Sequence, residues 1–495
     1  MPLAVIRNSP RFRWWTYCAV ALGTFITVVE QSATAIVIPM ISEHFGADIP
    51  SAQWMAIGYM LAVSAFMMPA GAIADTLGKR RMWLWGLTLF STASLMTSFS
   101  TSFGLVVTGK ILMGVAASAL QANGMAMVAN AFPDKERGKA LGFHMTAVGI
   151  GAVGGPVIGG GIESLMGWRA IFVFISIFSV LAWVAALIIL DSDGIQRGRR
   201  LSSLRLFDWV GTVLSACFLL TLMSTITFAQ DLGWSSPLIV GGAILGSALF
   251  VSFLFWERRV DVPMLPLGLF GRIPFSMGSA ARFLSFMASS GTFFLMPFFL
   301  ISGLGMGTAA AALYLLPGSA TLMVFGPISG RLADRIGTLI PSFSGMVCAT
   351  LAMWIFSTIR LDSDPLVVAF ASALSGMGMS IFMAPNTSAI MGSAGRKYYG
   401  IVSAFMNLTR NGAHVVGIAV PTAVVVAVMA TMGYEPDLSD PETLKDVGLR
   451  SAYAISMGKA FQISTVIMGI AAILSLMAGI IDRPKENRLG VLEAE

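Results

Sequence analysis

Long apolar runs, separated by short polar segments, make up most of this chain. An α-helix advances about 1.5 Å per residue, so a run of about 20 apolar residues crosses the roughly 30 Å hydrocarbon core of a bilayer. Inside that core a helix satisfies its own backbone hydrogen bonds. We therefore predict an all-α membrane protein with fourteen spans, near residues 14–40, 52–73, 82–101, 104–130, 140–161, 168–190, 207–228, 237–256, 275–301, 309–331, 341–359, 366–391, 399–428 and 461–481.

A charged segment between two apolar runs occurs twice. Gly71–Arg81 reads GAIADTLGKRR and Gly330–Gly337 reads GRLADRIG, with glycine, alanine, aspartate and glycine at the same relative spacing. The repeat predicts a duplicated protein with six helices in each half. Residues 1–190 are expected to form the first bundle, residues 191–260 a basic linker with two additional spans, and residues 261–495 the second bundle and a tail.

Composition and charge placement agree with a membrane protein. Hydrophobic residues make up 56% of the chain and charged residues 11%, and the mean hydropathy is +0.80. The net charge of +6 comes from Lys and Arg in short loops, where such residues set membrane orientation rather than bind nucleic acid. Their alternation places both termini on the cytoplasmic side. We expect the membrane to be a bacterial-type plasma (inner) membrane. Residues 429–460 are then the largest outer loop, which is acidic.

No motif in the sequence is typical of an enzyme or of a metal site. Cys18, Cys217 and Cys348 each lie alone in an apolar run, so they predict neither a metal cluster nor a disulfide framework. The glycine-rich run GGPVIGGG lacks the Lys and Ser or Thr that complete a phosphate-binding loop. We predict a protein that is not an enzyme and has no metal or cofactor, with a proton gradient as its energy source.

Four ionisable side chains lie well inside predicted spans: Glu30, Lys110, Arg282 and Arg410. A charge in that position costs at least about 3 kcal/mol and needs a partner, a wet cavity or a proton. Glu30 lies about 24 Å from the cytoplasmic start of the first span, and Lys110 about 9 Å from the outer start of the fourth, so the two lie at similar depths. Such a pair could bind and release a proton as its partner or access to water changes, or it could lock two helices together.

These motifs resemble the major facilitator superfamily, and within it the fourteen-span drug:proton antiporter branch (EmrB/QacA-like), over nearly the whole chain. In that family, the segment between helices two and three is a conformational latch built from an aspartate and cations. The resemblance assigns the latch to Gly71, Asp75, Gly78, Lys79, Arg80, Asp334 and Arg335.

Three further segments carry the resemblance. Gly149–Gly161 (GIGAVGGPVIGGG) resembles the antiporter signature of helix five, and Gly167–Phe172 (GWRAIF) resembles the start of helix six. Glu30–Pro39 keeps the family's spacing from acid to proline with Glu in place of the usual Asp, and Lys110 stands where the family usually has Arg. Glycines every four residues allow close helix packing, and a proline removes one backbone hydrogen bond. The residues concerned in helix five are Gly151, Gly155, Pro156 and Gly159.

Polar residues inside the spans are candidates to line a substrate cavity between the two halves, where sites of such transporters lie. They are Gln121, Asn123, Asn386, Asn407, Arg410 and Asn411. Asn123 and Asn386 fall at roughly equivalent positions of the two halves. Arg410 either joins the cavity or tethers two helices. Arg282, about 10 Å into its span, is expected to snorkel to the membrane edge, and both His144 and His414 are expected to serve packing or hydrogen bonding.

We predict a secondary active transporter that exports amphiphilic or hydrophobic small molecules by alternating access, in exchange for protons. A lipid or lipid-precursor translocator of the same fold and a membrane receptor without transport activity stay open as alternatives. Three buried cations against one buried acid favour neutral or anionic amphiphiles. The expected partners are this substrate, protons and membrane lipids, with no nucleic acid, and the protein is expected to act as a monomer.

Overall fold

The computed structural model describes residues 12–132, 134–190, 208–233, 235–260, 267–394, 399–435 and 446–492. All secondary structure in these ranges is helical: fourteen α-helices, one 3-10 turn and one π turn at the end of α9. In chain order the helices are α1 (Phe12–Phe45), α2 (Ile49–Leu77), α3 (Lys79–Ser98), α4 (Phe103–Ala131), α5 (Asp134–Met166), α6 (Trp168–Ile189), α7 (Trp209–Leu232), α8 (Pro237–Glu257), α9 (Ile273–Phe298), α10 (Thr308–Ile336), α11 (Leu339–Thr358), α12 (Pro365–Ala394), α13 (Tyr399–Thr431) and α14 (Val447–Leu492).

Within the described ranges, eleven helices are both long and apolar enough to cross a membrane. The remaining three, α2, α3 and α7, contain 29, 20 and 24 residues. The predicted all-α membrane fold is therefore confirmed, whereas the count of fourteen spans stays a prediction.

The last helix begins earlier than its hydropathy predicts. Residues 447–460 were expected to belong to the outer loop, yet they form the first turns of α14. Polar and charged residues lower the hydropathy of this segment, but its apolar face is packed: Tyr453 is fully buried and donates a hydrogen bond to the Leu295 carbonyl at 2.9 Å. The Arg450 guanidinium also donates to the Gly303 carbonyl at 3.3 Å. Tertiary packing, rather than mean hydropathy, thus sets the start of α14.

Two six-helix bundles share one pattern of neighbours. In the first bundle, α2 packs on α4, α1 packs on α5, and α3 packs on both α4 and α6. In the second bundle, α10 packs on α12, α9 packs on α13, and α11 packs on both α12 and α14. Each helix of the first bundle therefore has a counterpart eight helices later.

The two bundles meet through α1, α2 and α5 of the first and α9, α13 and α10 of the second. Helix α7 packs against both α2 and α13, and the rings of Trp54 on α2 and Phe228 on α7 are 6.2 Å apart. Helix α8 packs on α7. Helix α7 therefore covers one seam between the bundles, and α8 lies against α7.

The apolar core is shared by the bundles at one end only. We call the end that holds the α2–α3 and α10–α11 turns, at Gly78 and Gly337, the hairpin end, and the opposite end the far end. One buried cluster in the far half contains residues of both bundles, such as Ile36 and Phe294. Toward the hairpin end, Trp83 belongs to a cluster of the first bundle and Phe275 to a cluster of the second. The bundles are therefore closed on each other at the far end and have separate cores at the hairpin end.

Candidate functional site

Glu30 and Lys110 form a direct ion pair in the interior of the first bundle. The Lys110 Nζ atom donates to Glu30 Oε1. The side chains are only 0% and 2% exposed, respectively. The depth argument therefore predicted the right partners, because α1 and α4 run in opposite directions and pack side by side. In a medium of low dielectric constant, this pairing keeps each charge from being buried alone.

Thr34 and Tyr59 complete the cluster around this pair. Thr34 lies one turn after Glu30, accepts a hydrogen bond from Lys110 Nζ at 3.3 Å and donates to Glu30 Oε1 at 3.0 Å. The Tyr59 ring lies 4.9 Å from the ammonium, within the range of a cation–π interaction. Glu30 Oε2 and the Tyr59 hydroxyl have no hydrogen-bond partner within the described ranges. Glu30 Oε1 thus accepts hydrogen bonds from two groups, Lys110 and Thr34, whereas Oε2 has no partner among the described residues.

Glycine packing brings α2 close enough to contribute Tyr59. Gly114 lies one turn after Lys110 on α4, and a Cβ at that position would lie 2.8 Å from the Ala62 Cβ atom and collide with the Tyr59 carbonyl. Only glycine permits the two backbones to approach this closely. No sequence pattern indicated Tyr59, whereas the spacing of four residues from Glu30 could have indicated Thr34.

The glycines of α5 pack directly against the helix that carries Glu30. A Cβ at Gly151 would lie 3.2 Å from the Phe25 carbonyl, and one at Gly159 would lie 2.8 Å from the Ala33 Cβ atom. Between them, a Cβ at Gly155 would overlap the Ser32 hydroxyl, which itself donates to the Gly151 carbonyl at 3.2 Å. Pro156 is half-buried within the same helix. These glycines therefore hold α5 in backbone contact with α1 on both sides of Glu30.

The opposite side of α5 packs on the second bundle. A Cβ at Gly160 would lie 2.9 Å from the Thr308 carbonyl and 3.1 Å from Ala312 of α10, and one at Gly149 would lie 3.2 Å from Met323. Helix α5 thus contacts the helix of Glu30 on one side and the second bundle on the other. A change in the position of α1 can reach the second bundle through this helix.

We expect Gly159→Ala to destabilise the protein by about 1–3 kcal/mol, because the added methyl group has no room against Ala33. Gly161→Ala is the matched control on the same helix, since a Cβ there has no atom within 4 Å. Thermal unfolding in detergent, followed by tryptophan fluorescence, measures both variants. Equal unfolding temperatures for the two would show that the α1–α5 contact is not tight.

The hairpin segments have the turn geometry that glycine allows. Gly78 and Gly337 have φ angles of 97° and 80°, a region that other residues rarely adopt. The Arg80 guanidinium donates to the Leu187 carbonyl at the end of α6 at 2.9 Å, so it ties α3 to its own bundle. The other predicted latch residues are placed as follows: Gly71 is half-buried in α2, Lys79 begins α3, Arg335 is exposed, and the side chains of Asp75 and Asp334 lie outside the described part of the chain.

The polar residues predicted to line a cavity are distributed over both bundles. Asn123 is buried and donates to the Ala119 carbonyl of its own helix at 2.7 Å. Asn386 is buried and donates to the Gly278 carbonyl of α9 at 3.1 Å. Each of these bonds lies within one bundle, and the structure shows no bond between the two asparagines. Three of the predicted residues are partly exposed: Gln121, Asn407 and Arg410. Asn411 is buried, and its amide nitrogen has no partner within the described ranges.

Arg282 does not snorkel to the membrane edge as expected. Its side chain is 5% exposed, and Nη1 donates to Thr387 Oγ1 of α12 at 3.2 Å. Its guanidinium also lies over the Phe286 ring, 5.2 Å from the centroid. Thr387 of α12 supplies a hydrogen-bond acceptor and Phe286 of α9 supplies an aromatic face, and these two contacts keep the Arg282 side chain inside the bundle. His414 of α13 forms a hydrogen bond with Ser290 of α9 at 2.6 Å, which fits the bonding role expected of it.

Two helical bundles of one design, facing each other with an ion pair buried inside the first, define a membrane transporter of the kind that alternates access to a central site. The sequence matches the family model described as Major Facilitator Superfamily over residues 20–418. The chain therefore belongs to the major facilitator superfamily, and it is a transporter rather than an enzyme.

Known relatives agree with this assignment. The chain is 28% identical to the tetracenomycin C resistance and export protein of Streptomyces glaucescens over 457 residues, which are 92% of this chain and 82% of that protein. It is 29% identical to the multidrug resistance protein Stp of Mycobacterium tuberculosis (strain CDC 1551 / Oshkosh) over 418 residues, which are 83% of this chain and 76% of that protein.

Solved structures show the same fold. A bacterial homologue of the human lysosomal transporter Spinster, crystallised in an inward-facing and unoccupied conformation, superposes with a TM-score of 0.69. The match covers 95% of this chain and 98% of the other at 14% identity. At that identity the likeness concerns the fold alone.

Proposed function

We propose that this protein is a proton-coupled antiporter of the fourteen-span drug:proton branch, which exports amphiphilic small molecules by alternating access. The observation that carries the proposal is the Glu30–Lys110 pair, a carboxylate and an ammonium almost wholly buried in a membrane span. Intramembrane ionisable groups of this kind are typical of proton relays in transporters. The names of the two relatives, one an export protein and one a multidrug resistance protein, support export of small molecules.

Proton binding at Glu30 would change the charge of the cluster. The ion pair has no net charge, and a proton added to the carboxylate leaves Lys110 with an uncompensated positive charge. That charge is costly in a dry interior and acceptable where water or a ligand reaches it. Proton binding is therefore coupled to the access of water to the cluster, which alternates as the bundles move.

Helix α5 is the mechanical link in this proposal. Its glycine face lies on α1 around Glu30, and its other face lies on α10 of the second bundle. When the ion pair forms or breaks, a small shift of α1 is transmitted through backbone contacts rather than through flexible side chains. The shared far-end core and the separate hairpin-end cores describe one of the two access states. If both termini lie on the cytoplasmic side of a bacterial plasma membrane, the hairpin end also faces the cytoplasm. The state with separate cores at that end is then open to the inside.

Accumulation in liposomes tests the proposal. Liposomes that contain the purified protein and have an acidic interior are expected to accumulate test amphiphiles, beginning with tetracenomycin C, as protons leave. An ionophore that exchanges protons for potassium should abolish the accumulation, and protein-free liposomes give the background. Accumulation that survives collapse of the pH gradient would contradict proton coupling, and a lack of transport across the whole amphiphile panel would contradict the export function.

A further inference from the structure

A second group of ionisable side chains lies in the second bundle, and the proposed proton site does not involve it. The Arg282 guanidinium of α9 lies 5.2 Å from the centroid of the Phe286 ring, and this ring lies 5.3 Å from the His414 ring of α13. Arg410 lies one helical turn before His414 on α13. Arg410 is eleven residues into its helix, which places it about 16 Å along the span. Two permanently charged guanidinium groups therefore share one region of the bundle interior.

These two arginines have no counter-charge among the described side chains. Among the described residues, the Arg282 guanidinium bonds only to the neutral Thr387 hydroxyl, and its Nε atom has no partner there. Arg410 makes no hydrogen bond or ion pair with any described residue. No contact within the described ranges supports the interpretation of Arg410 as a tether between helices. An intramembrane cation without a protein partner is unfavourable unless an anion or water meets it.

The two arginines lie at the boundary between the shared core and the separate core of the second bundle. On α9 and α13, the far-end core that joins both bundles begins at Ala281 and Ala413, beside the two arginines. The separate core of the second bundle, with Phe275 and Met406, lies on their hairpin side. The arginines thus lie at the level where the two bundles cease to share a core. The Arg410 side chain is intermediate in exposure at this level, although it lies deep in the span.

We propose that Arg282 and Arg410 bind the anionic head group of an amphiphilic substrate. A carboxylate accepts paired hydrogen bonds from a guanidinium, and phosphate and sulfonate oxygens offer similar geometry. Thr387 and Phe286 hold the Arg282 guanidinium in place on one edge and one face, which leaves Nε for a ligand. The apolar part of the substrate would lie against the shared far-end core. This inference rests on the proposed export function and specifies the chemical class of its substrate.

Binding of two matched fluorescent probes tests the anion site. The probes are the dansylamino derivative of undecanoic acid, ionised at the pH used, and its uncharged primary amide. The protein is the full chain in nanodiscs of phosphatidylcholine, with no pH gradient. We expect wild-type protein to bind the acid about tenfold or more tightly than the amide. Arg410→Gln and Arg282→Gln should each remove most of this preference, while Arg258→Gln, at an exposed arginine after α8, should keep it.

Stability distinguishes a ligand site from a structural one. Because Arg410 makes no hydrogen bond or ion pair with a described residue, Arg410→Gln should unfold at the same temperature as the wild type or higher. A lower unfolding temperature together with an unchanged preference for the acid would overturn the proposal, as would equal binding of acid and amide by the wild type. Adding phosphatidylglycerol to the nanodiscs shows whether an anionic lipid head group competes with the acid probe for the same site. Competition in the wild type that is absent in Arg410→Gln supports an anion site that also accepts lipid.

The result is separable from the export proposal. Probe binding needs no gradient, and Glu30→Gln is expected to leave the preference for the acid intact. Loss of proton-driven accumulation with an intact preference would contradict the coupling mechanism alone. Proton-driven accumulation of substrates without any preference for an anionic group would contradict the anion site alone.

Discussion

Lys110→Met is expected to lower the free energy of unfolding by about 3–5 kcal/mol, the usual cost of leaving one partner of a buried ion pair without the other. Glu30 would then keep a carboxylate with Thr34 as its one hydrogen-bond donor among the described residues. The double variant Glu30→Gln/Lys110→Met removes both charges at nearly constant volume and is expected to lie within about 1 kcal/mol of the wild type. Unfolding in a detergent titration, followed by tryptophan fluorescence, measures the three proteins.

Glu43→Gln is the matched control for this series, because Glu43 is an exposed carboxylate near the end of the same helix. It should change the free energy of unfolding by no more than about 0.5 kcal/mol. If Lys110→Met proved as stable as the wild type, the two side chains would not form a buried pair. A double variant no more stable than Lys110→Met would show that Lys110 acts through packing rather than through its charge.

Glu30→Gln is expected to separate substrate exchange from proton-driven accumulation. Glutamine keeps the size of the side chain but has no proton to bind or release near neutral pH. Accumulation driven by a pH gradient should therefore fall by about tenfold or more, whereas exchange of labelled for unlabelled substrate at equilibrium should continue. Radiolabelled substrate in liposomes measures both quantities in the same preparation.

The double variant Glu30→Gln/Lys110→Met shows whether a loss of accumulation comes from lost coupling or from unfolded protein. Glu30→Gln leaves the Lys110 charge alone and is itself destabilising, whereas Glu30→Gln/Lys110→Met is expected to be stable. Both should lose accumulation to the same extent, and Glu43→Gln should retain it. Accumulation at the wild-type level in the double variant would reduce the Glu30–Lys110 pair to a structural lock between α1 and α4.

The sequence predicted the features that follow from length, spacing and charge. Span lengths and helix direction were enough to place Glu30 and Lys110 at one level, because depth along a helix depends only on residue count. The membrane class followed from apolar runs in the same way. The start of α14 did not, since Tyr453 and Arg450 are stabilised by contacts with α9 and its final turn, which the hydropathy of their own segment does not contain.

The rotation of each helix about its axis was the main feature that the sequence left undetermined. Tyr59 reaches the ion pair because Gly114 lets α2 approach α4. Arg282 stays inside the bundle because it donates a hydrogen bond to Thr387 and lies over the Phe286 ring. Each depends on a contact between residues far apart in the chain, Gly114 with Tyr59 and Arg282 with Thr387. For the same reason, the similar positions of Asn123 and Asn386 gave no information about their partners, which lie in separate bundles.

Proton release on substrate binding is the measurement that tests the central claim most directly. Purified protein in a weakly buffered detergent solution with a pH-sensitive dye is mixed with a substrate identified by the liposome assay. We predict that the wild type and Glu43→Gln release protons in proportion to bound substrate, and that Glu30→Gln binds substrate without releasing them. Equal proton release by Glu30→Gln would contradict the assignment of Glu30 as the proton-binding group.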